Sequence, residues 1–281
     1  MLNIIKSDLY RIIRGKAIYI SLLVIIAMFT LSCFELAPGY VGMSNNNLEE
    51  KGIRDHLLSD EELEEYYKMN SMKEEREFMK KFPYKLDKAI IGANTNLYYI
   101  FIVIVVIVLT TDFSNSTAKN TISSSISRKK YYISKLITIL TISTGLILFN
   151  NYGTYIVNLI MNGKAFSSGL GEITKITLYQ LPLLYGIISL LVCISALTRK
   201  TAIFNTVSIP FIIVFELLLM SIVTLFKINK DIFQWEFQVA LSKLVTNPTN
   251  SYIIKCAFLG IAAIVVFNII GYKAIKKAEI K

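Results

Sequence analysis

Histidine is nearly missing from this chain of 281 residues: His56 is the only one. A His-based hydrolase centre and a His-ligated metal site both lack their raw material. Cysteine is scarce too. Cys33, Cys193 and Cys256 sit far apart, each inside an apolar run. They are expected to pack as small hydrophobes, not to form a disulfide or a metal set. There is no G-x-x-x-x-G-K-[ST] run to cradle phosphates, no H-E-x-x-H, no paired-cysteine motif and no G-x-S-x-G turn. The expectation is a chain that is not an enzyme and holds no cofactor or metal of its own. Thr30-Leu31-Ser32-Cys33 has the wrong first residue for a lipoprotein cleavage site, and its apolar run is too long for a signal-peptide core.

Charge is the other shortage. Only 18% of residues are charged and 54% are hydrophobic, against about 25% charged in an ordinary soluble domain. The apolar residues gather in blocks, and about 20 such residues span a bilayer core. Six spans are predicted: 17–37, 89–111, 136–161, 176–197, 202–226 and 251–272. Each must be helical, because lipid offers no partner to exposed backbone N–H and C=O groups. The second span needs 89–96 to reach full length. The expected fold class is therefore all-α and polytopic, with an interfacial helix over 1–16, a transmembrane domain over 17–281 and an extracellular helical insert over 38–88.

The net charge of +10 is a topology signal. With the N-terminus inside, the inner segments hold 15 Lys/Arg and three acids, Asp8, Asp112 and Glu279. The other 15 Lys/Arg meet 17 acids. Lys and Arg favour the cytoplasmic side, so both termini are expected there. The positive charge is spread over separate membrane-edge loops, which argues against a nucleic-acid partner. Residues 1–16 alternate apolar and basic at helical spacing, fit for an amphipathic helix on anionic headgroups. The Ile/Lys/Asn-rich usage is associated with AT-rich bacterial genomes, so a bacterial cell membrane is the expected location.

Outside the spans, Pro38-Gly39 and Asn45-Asn46-Asn47 mark loop. Ser59 to Glu62 looks like a capping box opening a helix over about 60–81. His56 reads as a solvated loop residue. The 227–250 loop is too apolar to be free, so a short interfacial or re-entrant helix is expected there, with Trp235 at the membrane interface. Polar residues inside spans are costly and face the bundle. Glu216 is the candidate gate, substrate or cation contact, with a hydrogen-bonded structural carboxyl as the alternative. Asn150, Asn151 and Asn205 are candidate pathway residues, or hydrogen-bond glue between helices.

The segment between the second and third spans reads DFSNSTAKNTISSSISRKKYYISK, from Asp112 to Lys135. It is short, basic and rich in hydroxyls. Asp112-Phe113 opens it, Thr117-Ala118-Lys119 forms a turn, and Ser127-Arg128 with Tyr131, Tyr132 and Lys135 close it. This pattern resembles the ABC-2 family of ABC-transporter membrane subunits. Family members often carry Gly where Ser116 stands, and Gly or Pro where Ser125-Ile126-Ser127 stands. The resemblance implies six spans, cytoplasmic termini and an N-terminal elbow helix. It also implies that 112–135 is a coupling segment docking on a separate ATPase through Asp112, Thr117, Lys119, Ser127, Arg128, Tyr131 and Lys135. Two ATPase copies binding ATP and Mg, and a second permease copy or a sibling, are the implied partners, with membrane lipid around them. Export is implied, with an antimicrobial peptide or another amphipathic or lipid-like compound as substrate. Two other readings stay open: a gradient-driven ion or drug carrier using Glu216, and a non-transporting sensor or immunity protein using the 38–88 insert.

Overall fold

The computed structural model describes residues 2–47, 85–92, 96–123, 126–226, 235–245 and 248–277, and within these the side chains of 34–47, 96, 123, 165, 212–220 and 222–224 lie outside the description. The regular elements among the described residues are all helical. Helix α1 is Leu2–Arg14 and α2 is Lys16–Asn47, with a bend at Gly15 between them. Helix α3 is Leu86–Gly92. Helix α4, Asn96–Val105, runs through a π turn, Val106–Thr110, into α5, Thr111–Ser114. Then come α6, Thr117–Ser123, and the long α7, Arg128–Asn162. A 3-10 turn, Lys164–Phe166, precedes α8, Leu170–Thr198. Helices α9, Thr201–Leu225, α10, Phe237–Lys243, and α11, Asn250–Lys277, complete the order.

Five stretches among the described residues are long and apolar enough to cross a membrane: Lys16–Cys33, Leu97–Ser114, Arg128–Asn162, Leu170–Thr198 and Asn250–Lys277. The protein is an all-α, multi-pass membrane protein. The side chains of α9 are described only in part, and its described apolar stretch is Thr201–Phe211.

Two boundaries differ from the sequence expectation. Pro38-Gly39 and Asn45 to Asn47 do not start a loop, because α2 continues to Asn47. A proline costs a helix one backbone donor, and α2 runs on past it and past the end of its apolar span at Cys33. Residues 86–92 do not extend the second span either. They form the separate helix α3, and the span itself begins at Leu97. The short helix expected in the 227–250 loop is present as α10, where the Glu236 side chain accepts from the Val239 N–H at 2.8 Å as an N-cap. The capping box at Ser59, the helix over 60–81 and His56 lie outside the described residues.

The bundle has two distinguishable ends. At one, Ser114 and Thr201 share a hydroxyl hydrogen bond of 2.9 Å, and Arg128 donates to the carbonyls of Ile275 and Lys276 at 3.2 and 2.5 Å. Lys119, Lys129, Lys130, Arg199, Lys200, Lys276 and Lys277 are exposed on the segments that meet there. We call it the basic end. At the far end, the Asn162 amide donates to the Cys33 carbonyl at 3.2 Å, and Trp235 stacks on Tyr252 with centroids 5.6 Å apart.

The most extensive helix pair is α8 with α11. A Cβ added at Gly260 would lie 2.4 Å from the backbone carbon and oxygen of Pro182, so only glycine permits this approach. Gly186 faces Ala263 one register along. Small residues that let backbones meet are the usual basis of helix association in lipid. A polar bridge ties the pair to α7. Tyr132 donates to the Asn268 side-chain oxygen at 2.8 Å, and the Asn268 amide donates to Ser189 at 3.0 Å. All three cysteines are buried and free.

Candidate functional site

Helix α1 reaches the basic end as an amphipathic element and places two side chains one turn apart, Asp8 and Arg11. They meet the end of the second span and the start of the third. The Lys135 ammonium donates to both Asp8 oxygens, at 2.7 and 2.8 Å, and pairs with Asp112 Oδ2. The Arg11 guanidinium donates to Asp112 Oδ1 at 2.7 Å and also reaches Asp8 Oδ1 at 3.3 Å. Tyr131 donates its hydroxyl to Asp112 Oδ2 at 3.2 Å. The Lys135 side chain is 3% exposed and that of Asp112 2%.

Two carboxylates, one ammonium and one guanidinium make a formally neutral cluster. Buried charges persist only when each is paired and its remaining hydrogen-bond sites are filled. Burial pushes the Asp8 carboxyl up from its ordinary value, against the pull of Lys135 and Arg11.

The second Arg11 nitrogen donates to the Ile107 and Val108 carbonyls at 2.9 and 3.4 Å. Those carbonyls belong to the π turn, whose 111-to-106 backbone bond skips one residue more than an α-helix. The Thr111 hydroxyl covers the Val106 and Ile107 carbonyls at 2.9 and 2.8 Å, and Thr110 covers Val105 at 3.3 Å.

Between Asp112 and Lys135 the chain turns outward. Ser116 takes a left-handed conformation, φ 59°, between α5 and α6, a region that glycine enters without cost. Helix α6 rests on buried Ala118 and half-buried Ile122, and turns Thr117, Lys119 and Asn120 to the outside.

The seven residues expected at a docking surface thus separate into three groups. Asp112, Tyr131 and Lys135 are drawn together inside the cluster. Ser127 is the N-cap of α7, accepting from the Lys130 N–H at 3.3 Å, while Arg128 holds the end of α11. Thr117 and Lys119 stand exposed. Asp8 and Arg11 were not among the expected site residues. The available signal was an acid in a basic segment: two of the three acids assigned to the inner side, Asp8 and Asp112, are the buried carboxylates of the cluster.

The candidate pathway residues lie elsewhere. Asn150 and Asn151 are buried on α7, roughly 22 Å along the helix from Lys135 at 1.5 Å per residue. The Asn150 amide donates to the Asn151 oxygen at 3.0 Å, and the Asn151 amide donates to Thr177 at 3.0 Å and to Gln180 at 3.4 Å. Further out, Asn158 donates to the Phe166 carbonyl and to Ser167, both at 2.9 Å, and accepts from Asn162. Asn151, Gln180 and Gln238 line a cleft of about 10 Å³, room for one water. Asp87 closes this end, accepting from the Ser168 N–H and hydroxyl at 2.7 and 2.8 Å. Burial pushes its carboxyl up, and these donors hold it back. Asn205 is half-buried on α9 near the basic end, apart from the other asparagines. The Glu216 side chain lies outside the described residues.

Among the described residues no group of three or more His, Cys, Asp or Glu is placed to hold a metal. No protein family, curated protein or solved structure matches this chain.

Proposed function

We propose that this chain is the membrane subunit of an ABC-2-type exporter, working with a separate ATPase that binds ATP and Mg. One observation carries the reading: helix α6 points Thr117, Lys119 and Asn120 outward while both ends of its segment, Asp112 and Lys135, are anchored in one buried ionic cluster. A docking element that is to pass a push into a bundle needs such a mount, since a loose loop would absorb the movement. In this reading α9 is the sixth crossing. Thr201 sits beside Ser114 at the basic end, and α10, the next described element, packs at the other, where Gln180 reaches the Leu241 carbonyl. The basic end is cytoplasmic, following the excess of Lys and Arg. Two permease copies or a permease and a sibling would complete the pathway. An amphipathic peptide or lipid-like substrate rests on the family resemblance.

The mount also refines the test. Arg128 caps α11, so reversing its charge would disturb the fold as well as any docking. Lys119 is the cleaner probe. The tagged chain, extracted in mild detergent from its native membranes, is expected to bring down an ATPase carrying a phosphate-binding loop. Lys119→Glu should reduce that recovery several-fold while the permease itself is recovered in full. A chain that purifies alone, even after crosslinking, overturns the proposal.

A further inference from the structure

The π turn at Val106–Thr110 sits one residue before Asp112 and holds one residue more than an α-helical turn would. Such turns leave carbonyls poorly paired, and they concentrate at functional positions. Here the widened carbonyls of Val105, Val106, Ile107 and Val108 are covered by Thr110, Thr111 and Arg11. Two of those donors belong to the helix itself. The third comes from α1, 96 residues away in sequence.

Arg11 therefore touches both sides of the joint. One nitrogen holds the carbonyls within the turn, and the other holds Asp112 beyond it. An α-helix advances about 100° per residue at 3.6 residues per turn. If the turn gave up its extra residue and closed as α-helix while α7 and α8 kept their places in the bundle, the segment directly after it, from Thr111 through α6, would rotate by about that angle relative to the second span. Asp112 would leave Lys135 and Tyr131, and the outward face of α6 would turn with it.

We infer that the π turn is a two-position joint in the second span, and that Arg11 of the N-terminal helix is the latch that holds it in the π position. Docking of α1 and the orientation of α6 are then two readings of one equilibrium. A ligand, lipid or partner that draws α1 away favours the α position; whatever presses α1 home favours the π position. This inference stands whether or not the chain pairs with an ATPase.

The test needs two spin labels, on Lys119→Cys in α6 and on Leu197→Cys at the end of α8, in a chain whose three buried cysteines are replaced by alanine and which is held in lipid nanodiscs. Pulsed electron–electron distance measurement is expected to give one distance for the parent chain. Arg11→Ala should add a second population at a different distance. Arg11→Lys should add it too, because an ammonium pairs with Asp112 but lacks the fork that also spans the carbonyls. Deleting Ile107 removes the extra residue and leaves both flanking registers in place, so Arg11→Ala combined with that deletion should return to the single parent distance. A single unchanged distance in Arg11→Lys, which keeps the charge and the fold, overturns the inference. So does a second population that survives the deletion.

Discussion

The two ends of the bundle solve one problem, how to bury polar groups among helices, in opposite ways. At the basic end, Asp8, Arg11, Asp112 and Lys135 join three elements through charge, with Tyr131 as a neutral donor. At the far end, Asn151, Thr177, Gln180, Asn158 and Asn162 join segments through amides and hydroxyls, and the buried Asp87 carboxyl is met there by the neutral N–H and hydroxyl of Ser168, not by a cation. The difference lies in how far an insult spreads. Remove one amide and its neighbours lose a hydrogen bond apiece. Remove Lys135 and the buried carboxylates of Asp8 and Asp112 are left ionised where water cannot solvate them, with only the 40%-exposed Arg11 beside them. The charged end is thus built to move or fail as a unit, and the amide end yields locally.

The comparison breaks hardest at Lys135. Lys135→Met leaves two buried carboxylates facing one guanidinium and should destabilise the protein by about 3–5 kcal/mol. Thermal unfolding in detergent micelles measures this. Adding Asp8→Asn restores charge balance with Arg11 and Asp112 and should recover most of the loss. If the double variant is no better than the single one, the end does not act through charge. At the far end, Asn158→Leu removes two donated bonds and the one accepted from Asn162 and should cost only about 1–2 kcal/mol in the same assay, at about 0.6 kcal/mol for an average hydrogen bond inside a membrane protein. A cost equal to that of Lys135→Met would erase the distinction. The smallest effect is a gain. Ser116→Gly relieves a left-handed backbone and should stabilise by about 0.5 kcal/mol, after the greater freedom of glycine in the unfolded chain is set against it.

The sequence made the long apolar helices legible because a membrane span needs only length and composition. It also marked Asp112 and Lys135 as the ends of one segment. It did not show that both ends turn inward to the same pair of side chains on α1. Asp8 and Lys135 are 127 residues apart, and helical periodicity carries no information at that range. The π turn was hidden for a similar reason: nothing in Val106-Ile107-Val108-Leu109-Thr110 departs from an ordinary apolar helix. Two of its donors, Thr110 and Thr111, stand beside it in sequence, but the third, Arg11, is visible only once α1 is in place. The left-handed backbone at Ser116 was not legible either, since a serine in a polar turn gives no sign of it. The proline at 38 misled, because it takes only one donor from the backbone and α2 continues past it, beyond the end of its span at Cys33.

The 127-residue gap between Asp8 and Lys135 also sets a clock on the making of this protein. At roughly 5–20 residues per second, α1 leaves the ribosome on the order of ten seconds before its lysine exists. Until the second span brings Asp112 and the Ile107 carbonyl to Arg11, Asp8 and Arg11 have only each other and the membrane surface. The cluster closes when the third span arrives in register, so its closure records that the first half of the chain has been threaded correctly. A chain with a slipped second span would present Asp112 on the wrong side and leave α1 without its partners.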